Sequence, residues 1–387
     1  MEPSQVNEDA PTSETNSATE ADAFSSGRTR RDPVGWTMWS LAAIIAIAGV
    51  FMASIALGRS DSHSVTAAGG SNNESGTPAT QPATATGATI DFQATPAADW
   101  TPYDPTLKPA DGATEHKLTM HATEKVLEIA PGVTQEMWTF DDKVPGPTLR
   151  GNVGDLFTIT LVNDGKLAHS IDLHASKVAW NVEMKSINPG ESIVYQFKAK
   201  LAGAFMYHCG TAPALHHIGN GMYGAIIIDP PVLAPVDHEY VLVQSEIYTG
   251  PEGQPGDLTK MMAEAPDAVV FNGYVSQYKF HPIRVEPNER VRVWVVDAGP
   301  SENSSFHIVG TIFDTVFKEG SYTLQPDARQ GGSQALDLQP AQGGFVEFSF
   351  DAAGLYPIVT HKFANVGKGA LGLFQAGEVA AAGTPTH

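Results

Sequence analysis

His208 and Cys209 stand side by side, and His217 and Met222 follow them. Cys209 is the only cysteine among 387 residues. An intrachain disulfide is therefore excluded, and a tetrahedral thiolate zinc site needs more sulfur than one residue supplies. One Cys, two His and one Met can build a blue-copper site, in which His and Cys ligands lie in a plane with a long axial Met and the thiolate tunes an electron-transfer potential. The order fits: His217 lies eight positions after Cys209, and Met222 five positions further on. An earlier strand must supply the other imidazole, and His169 is placed to do so. A buried structural Cys beside packed histidines is the usual alternative. Four ligands of the right types in the right order argue against it.

A second metal is implied by strand parity. Neighbouring side chains on a strand point to opposite faces. If Cys209 faces inward, His208 faces outward, and the odd separation of His169 from His174 divides that pair in the same way. One face then carries His169 and Cys209, the other His174 and His208. Two outward imidazoles need a third to make a catalytic metal site with an open position, and His361 is the candidate. Three neutral imidazoles suit copper or zinc equally. The covalent link from His208 to Cys209 favours copper, since it would wire one metal to the other. The competing reading makes the outward histidines ordinary surface residues.

The elements that must position these residues read as all-β. Only 17% of residues are charged, and there are 37 Gly and 27 Pro, a composition suited to strands and many turns. A diverged repeat divides the folded part. Residues 152–165 resemble 286–299, each a turn leading into an alternating run, with Phe157, Ile159 and Leu161 matched by Val291, Val293 and Val295. Ala202–Phe205 corresponds to Ala353–Tyr356, and Gly219–Gly224 to Gly367–Gly372. Two tandem β-sandwiches are expected, over 100–232 and 233–380, with a short tail at 381–387. The second copy has Ala370 at the place of Met222 and no Cys, so it cannot hold a blue-copper site. It keeps His307 and His361, which suit a contribution to another site.

The N-terminal quarter has a different character. Residues 1–35 are polar and read as a disordered cytoplasmic tail. Arg28, Arg30 and Arg31 precede 36–57, an uncharged run of 22 residues that is long enough to span a bilayer. Trp36 and Trp39 suit the headgroup level, and the basic cluster predicts that the N-terminus stays inside. A cleaved signal peptide is the competing reading, but the long leader and long run favour an uncleaved single-pass anchor. Residues 58–99, rich in Ser, Thr, Ala, Gly and Pro, read as a flexible linker. The folded part would then lie on the extracytoplasmic side of the cell membrane, periplasmic or extracellular. The net charge of −20 argues against nucleic acid and suits a basic protein partner.

Over about residues 112–378 the sequence resembles copper-containing nitrite reductases. The matching pieces are Val144–Arg150, His169–His174, Tyr207–Cys209, His217–Gly224, Ser305–Val309 and Thr360–His361. The short Cys209-to-His217 loop is similar to the subclass that includes the membrane-attached neisserial enzymes. The resemblance implies two cupredoxin-like Greek-key sandwiches and two coppers per chain, with no other cofactor. It implies that His169, Cys209, His217 and Met222 bind type 1 copper and that His174, His208 and His361 bind type 2 copper. It implies a catalytic pair, Asp172 and His307, and an apolar limit to the substrate pocket at Val309. It also implies a homotrimer whose type 2 site lies between subunits, and a small electron-donor protein, a cupredoxin or cytochrome c. The expected reaction takes nitrite to nitric oxide, with the electron passing through Cys209–His208. Asp172 could equally orient an imidazole.

The segment 176–185 departs from the Gly-rich stretch expected after His174, so substrate access or docking there can differ. This keeps another small-molecule substrate in view, alongside a tethered electron carrier that needs only the thiolate site. A laccase-like oxidase fits poorly, because its cluster needs His-x-His pairs and this chain has none. His216 reads as a rim residue beside the ligand His217. His116, His121 and His281 read as structural or surface residues, and His63, His238 and His387 carry no signal.

Overall fold

The computed structural model describes residues 87–326 and 331–379. The tail, the membrane span and most of the linker anticipated at the N-terminus, and the tail at 381–387, lie outside these residues. Among the described residues no helix is long and apolar enough to cross a membrane.

The chain is mostly β, with cupredoxin-like sheets and short helices. The first half contains β1 (Glu115–Ala130), β2 (Val133–Phe140), β3 (Leu149–Asn152), β4 (Leu156–Asn163), β5 (Asp172–Leu173), β6 (Ser192–Lys198), β7 (Gly203–His208) and β8 (Tyr223–Asp229). These form two four-stranded sheets, β2-β1-β4-β6 and β3-β8-β7-β5. Alternation in β4 buries Phe157, Ile159 and Leu161 and leaves the residues between them half-exposed. The buried set meets Ile171, Tyr207, Cys209 and Met222 in one apolar core between the sheets. Helices are brief: α1 (Trp180–Glu183) lies in the divergent segment, and α2 (Ala214–Gly219) carries His216 and His217.

The second half contains β9 (His238–Ile247), the helix α3 (Leu258–Met262), β10 (Ala268–Phe271), α4 (Gln277–Phe280), β11 (Ile283–Val285), β12 (Val291–Gly299), β13 (Ser304–Ile308), β14 (Thr315–Lys318), β15 (Ser321–Leu324), β16 (Leu336–Leu338), β17 (Gly343–Phe348), β18 (Gly354–Thr360) and β19 (Leu371–Ala376). Its sheets run β10-β9-β12-β17-β14-β15 and β11-β19-β18-β13-β16. The pairings repeat those of the first half. Parallel β1–β4 is matched by parallel β9–β12, and antiparallel β7–β8 by antiparallel β18–β19.

One element differs from its sequence reading. β12 matches β4 in sequence, yet it is buried on both faces rather than one. Val291, Val293 and Val295 face their own core. Trp294, Val296 and Ala298 instead pack on Ala204, Met206, Tyr223, Ala225 and Ile227 of β7 and β8. A third apolar layer thus joins the two sandwiches, and it seats β7, which carries His208, on a rigid backing. The ordered body also begins earlier than composition suggests. Ala88 donates its backbone N–H to the Gly250 carbonyl at 2.7 Å, and Ile90 and Phe92 pack beside Ile129, Met137 and Ile247. Two apolar side chains at alternate positions suffice to dock a segment whose other residues are linker-like.

An ionic ladder ties the halves together at one end of this layer. Arg150 pairs with Asp229 at 2.9 Å and with Glu239. Glu239 also meets Arg292, which is 1% exposed and reaches Glu347. Glu347 in turn receives Arg290 at 2.9 Å. Removing one member leaves an uncompensated buried charge, which costs about 3–5 kcal/mol. Arg292→Met is therefore expected to lower the unfolding free energy by about that amount in urea titration. Asp297 is fully buried, with one carboxylate oxygen lacking a partner. Burial, and then Glu246 and Glu302 nearby, push its carboxyl well above the usual range. The folded state thus holds a proton that the unfolded chain releases, so stability falls as pH rises from the ordinary carboxylate range toward the folded-state value. Asp297→Asn should raise the urea midpoint at pH 7.5 and lose that advantage as the pH is lowered.

Candidate metal centre and active site

Four local structures converge on Cys209. The thiol sits one residue past β7, and its backbone N–H donates to the Met222 carbonyl at 3.1 Å. His169 is held by reciprocal backbone bonds with Ile187 of 3.1 and 2.8 Å. His217 lies on α2, and Gly221, with φ of 110°, turns the chain so that the Met222 N–H returns to the His217 carbonyl at 3.1 Å. A side chain at 221 would be strained by that φ and would also press on Val144. Met222 is fully buried in the same apolar core as Cys209.

The ligand atoms face one another. His169 Nδ1 lies 3.3 Å from His217 Nδ1, which is 3.3 Å from Cys209 Sγ. All three ligand atoms lie within 4.8 Å of one another. Metal–imidazole and metal–thiolate bonds are about 2.0–2.3 Å long, so donors this close suit one shared metal. Burial alone would push the Cys209 thiol up, but hydrogen bonds with His169 and His217 outweigh it and hold the thiol well below its ordinary value. The Ser170 N–H also points at Sγ, at 3.4 Å. A thiolate is the form that binds metal.

His208 and His174 meet on the opposite face. Asp172 pairs with His208 across β5 and β7, and His174 donates its backbone N–H to the Met206 carbonyl at 3.0 Å. The two Nε2 atoms are 2.9 Å apart. Asp172 Oδ2 lies 3.8 Å from His208 Nε2 and 4.0 Å from His174 Nε2. His208 Nδ1–H donates to the Cys209 carbonyl at 3.0 Å, which leaves Nε2 as the free lone pair. Burial and the neighbouring His208 push the His174 pKa down, so a neutral imidazole is available to a cation. Asp172, His174 and His208 form one group of close ligand atoms among the described residues, and His361 is not in it.

The second sandwich presents His307 and His361 together, with ring centroids 5.1 Å apart. His361 is exposed, and Val309 is half-buried two residues beyond His307. His307 Nδ1–H donates to the Gln334 carbonyl. Strand register explains the pairing. Tyr207 opposes Gly224 in β7–β8, and Ile358 opposes Gly372 in β18–β19, so His208 corresponds to Val359 and Cys209 to Thr360. His307 opposes Val359 as Asp172 opposes His208. Asp172 and His307 thus occupy equivalent places in the two sandwiches. Thr360 accepts the Ser305 N–H at 2.9 Å, as Cys209 Sγ accepts that of Ser170.

Other histidines have local partners. His216, half-buried beside His217, bonds to the Gly256 carbonyl at 3.2 Å. His116 pairs with Asp155 at 2.9 Å, and His121 with Asp164 at 2.6 Å. In the divergent segment Trp180 is 76% exposed, beyond His174 in the chain. Sequence reasoning missed two neighbours of the thiolate site. Trp138 lays its ring 4.7 Å from both His216 and His217, and Glu124 contacts His169 at 2.8 Å. Both come from strands distant in sequence, and no motif marks them.

Paired cupredoxin-like sandwiches, with a thiolate–imidazole triangle one residue from an imidazole pair, define a multicopper-oxidase-like protein. The family model described as multicopper oxidase matches residues 121–232. Over 287 residues the chain is 36% identical to the copper-containing nitrite reductase of Neisseria gonorrhoeae, covering 70% of this chain and 72% of that protein. The copper nitrite reductase of Nitrosomonas europaea superposes with a TM-score of 0.62 at 37% identity, over 68% of this chain and 94% of that one. The copper-containing nitrite reductase of Thermus scotoductus SA-01 gives 0.62 at 29% identity, over 68% of this chain and 62% of that one. This chain belongs to the copper-containing nitrite reductase family.

The triangle makes a prediction independent of turnover. Cobalt(II) added to the metal-free protein is expected to give a thiolate charge-transfer band with saturable stoichiometry. Cys209→Ser should abolish the band, while His361→Ala should leave it intact.

Proposed function

We propose that this chain reduces nitrite to nitric oxide, with one copper held by His169, Cys209, His217 and Met222 and another by His174, His208 and His361. The observation that carries this reading is the adjacency of the two donor sets: a single peptide bond separates the thiolate of one from an imidazole of the other. When bound, the first copper exchanges an electron reversibly and the second acts as a Lewis acid with an open position for the anion.

The residues supply the rest. Cys209 and His208 form the covalent route between the donor sets. The His208 bond to the Cys209 carbonyl holds the ring with Nε2 outward. Each turnover consumes one electron and two protons and releases water with nitric oxide. Asp172, within 4.0 Å of both outward imidazoles, is the group that holds or relays a proton beside the bound anion. His307, anchored through Nδ1, presents Nε2 for a second one. Val309 limits the space above the site.

Within one chain His361 is not in the close group of His174 and His208, and we propose that it joins them from another copy, in a homotrimer with this site between subunits. Phe363, 60% exposed and 5.6 Å from the His361 ring, offers apolar surface for that contact. A small basic cupredoxin or cytochrome c is the proposed donor, steered by the chain's net charge of −20. The run 36–57 is the proposed membrane anchor, with both sandwiches on the extracytoplasmic side.

The test is copper content, visible spectrum and nitric oxide production from nitrite with an artificial reductant. Two coppers per chain, a thiolate band and turnover are expected; one copper without turnover would reduce the protein to a tethered electron carrier. Cys209→Ala should remove the band while keeping the second copper, and His361→Ala should keep the band and lose turnover. Asp172→Asn and His307→Ala should keep both coppers and lower the rate by about 10²–10⁴-fold. Loss of the second copper from a folded Asp172→Asn protein would reassign Asp172 to orienting the ligand rings.

A further inference from the structure

Behind His169, on the side away from the thiolate, stands a buried carboxylate. Glu124, on β1, has a side chain only 3% exposed. Its Oε1 accepts from His169 Nε2–H at 2.8 Å and from the Leu167 N–H at 3.1 Å, while Oε2 accepts from the Lys166 N–H at 2.7 Å. Three donors from one loop therefore hold a charged group in a single pose. The loop is shaped to admit it. A Cβ at Gly165 would lie 2.7 Å from Oε1 and 2.8 Å from Oε2, inside contact distance, so a side chain there would displace the carboxylate from this pose.

The arrangement has a direction. With Nε2–H committed to Glu124, His169 turns Nδ1 toward His217 and Cys209. The register of β1 and β2 places Glu124 opposite Trp138, whose ring lies 6.2 Å from that of His169 and 4.7 Å from that of His217. One cross-strand pair thus backs both imidazoles, the first by charge and the second by an aromatic edge. An imidazole that donates to a carboxylate is a stronger base toward its metal. A fixed negative charge in a low-dielectric core also favours the more positive of two metal oxidation states.

We propose that Glu124 is a positioning residue of the thiolate-side copper site, orienting His169 and biasing the site toward the oxidised ion, and hence toward a lower reduction potential. This rests on the copper reading given above. It extends that reading to a residue outside the ligand set, and it separates the binding of an electron from the place where nitrite reacts.

The experiment is redox titration of the full-length protein by its thiolate band, with copper counted in the same samples. Glu124→Gln keeps the shape and one acceptor but removes the charge. It is expected to raise the potential by the equivalent of about a tenfold change in the cupric-to-cuprous affinity ratio, or about 59 mV for one electron. Cupric affinity at this site should fall by about 10–100-fold, with the imidazole-bound copper unchanged. Gly165→Ala, which displaces the carboxylate without altering it, should move the potential in the same direction and keep Glu124→Gln from standing alone if that variant folds poorly. An unchanged potential in copper-loaded Glu124→Gln, or in Gly165→Ala, would overturn the inference. A wild-type protein without a thiolate band would instead overturn the copper reading beneath it.

Discussion

Everything at the two donor sets depends on one peptide bond and the alternation of a β-strand. Side chains at successive positions of β7 leave on opposite faces, so Cys209 enters a closed apolar core while His208 reaches the outer surface. On the proposed reading one donor set holds an electron and the other binds a small anion, and these tasks make opposing demands. The first benefits from rigid burial, the second from access. Placing them at adjacent residues on opposite faces satisfies both with the shortest covalent path the chain can offer. The carbonyl between them also fixes the outer ring, because His208 Nδ1 donates to Cys209 O.

The remainder of the fold packs that strand on both faces. β7 lies between the first core, which closes around Cys209 and Met222, and the apolar layer shared with β9, β12 and β17. Burying β12 on both faces is the cost of stacking the sandwiches, and it explains why this strand carries an almost unbroken apolar run. The ladder from Arg150 to Arg290 closes one end of that layer with charges that are each paired. Such ladders add specificity of alignment more than net stability, since desolvation offsets much of the attraction.

The second sandwich shows what a site becomes when its ligands change and its scaffold does not. Thr360 accepts the same backbone bond as Cys209, and Ser304 stands three residues before His307 as His169 stands before Asp172. The hydrogen-bonding frame has survived while the metal donors have gone. The outward position of that frame keeps a titratable group in both halves, Asp172 in one and His307 in the other. Equivalent strand positions therefore supply the two proton-handling groups of the proposed reaction, each from its own sandwich.

Local spacing already pointed to residues that the fold groups, His169 with Cys209 and His217, and Asp172 with His174 and His208. Cys209, His217 and Met222 fall within one loop, and His169, Asp172 and His174 within one short segment, so backbone geometry alone limits where they can point. The all-β character and the repeat were equally legible, since alternation and turn residues recur at matching positions. Glu124 and Trp138 were not legible. They reach His169 and His217 through the register of β1 and β2, which depends on strand pairing across the sheet rather than on spacing along the chain. The double burial of β12 and the docking of Ile90 and Phe92 likewise follow from surfaces that meet only after both sandwiches have formed. The tautomers of His169 and His208 were decided at the same stage, because an imidazole commits its proton to the acceptor that the folded chain brings to it, a carboxylate for one and a carbonyl for the other.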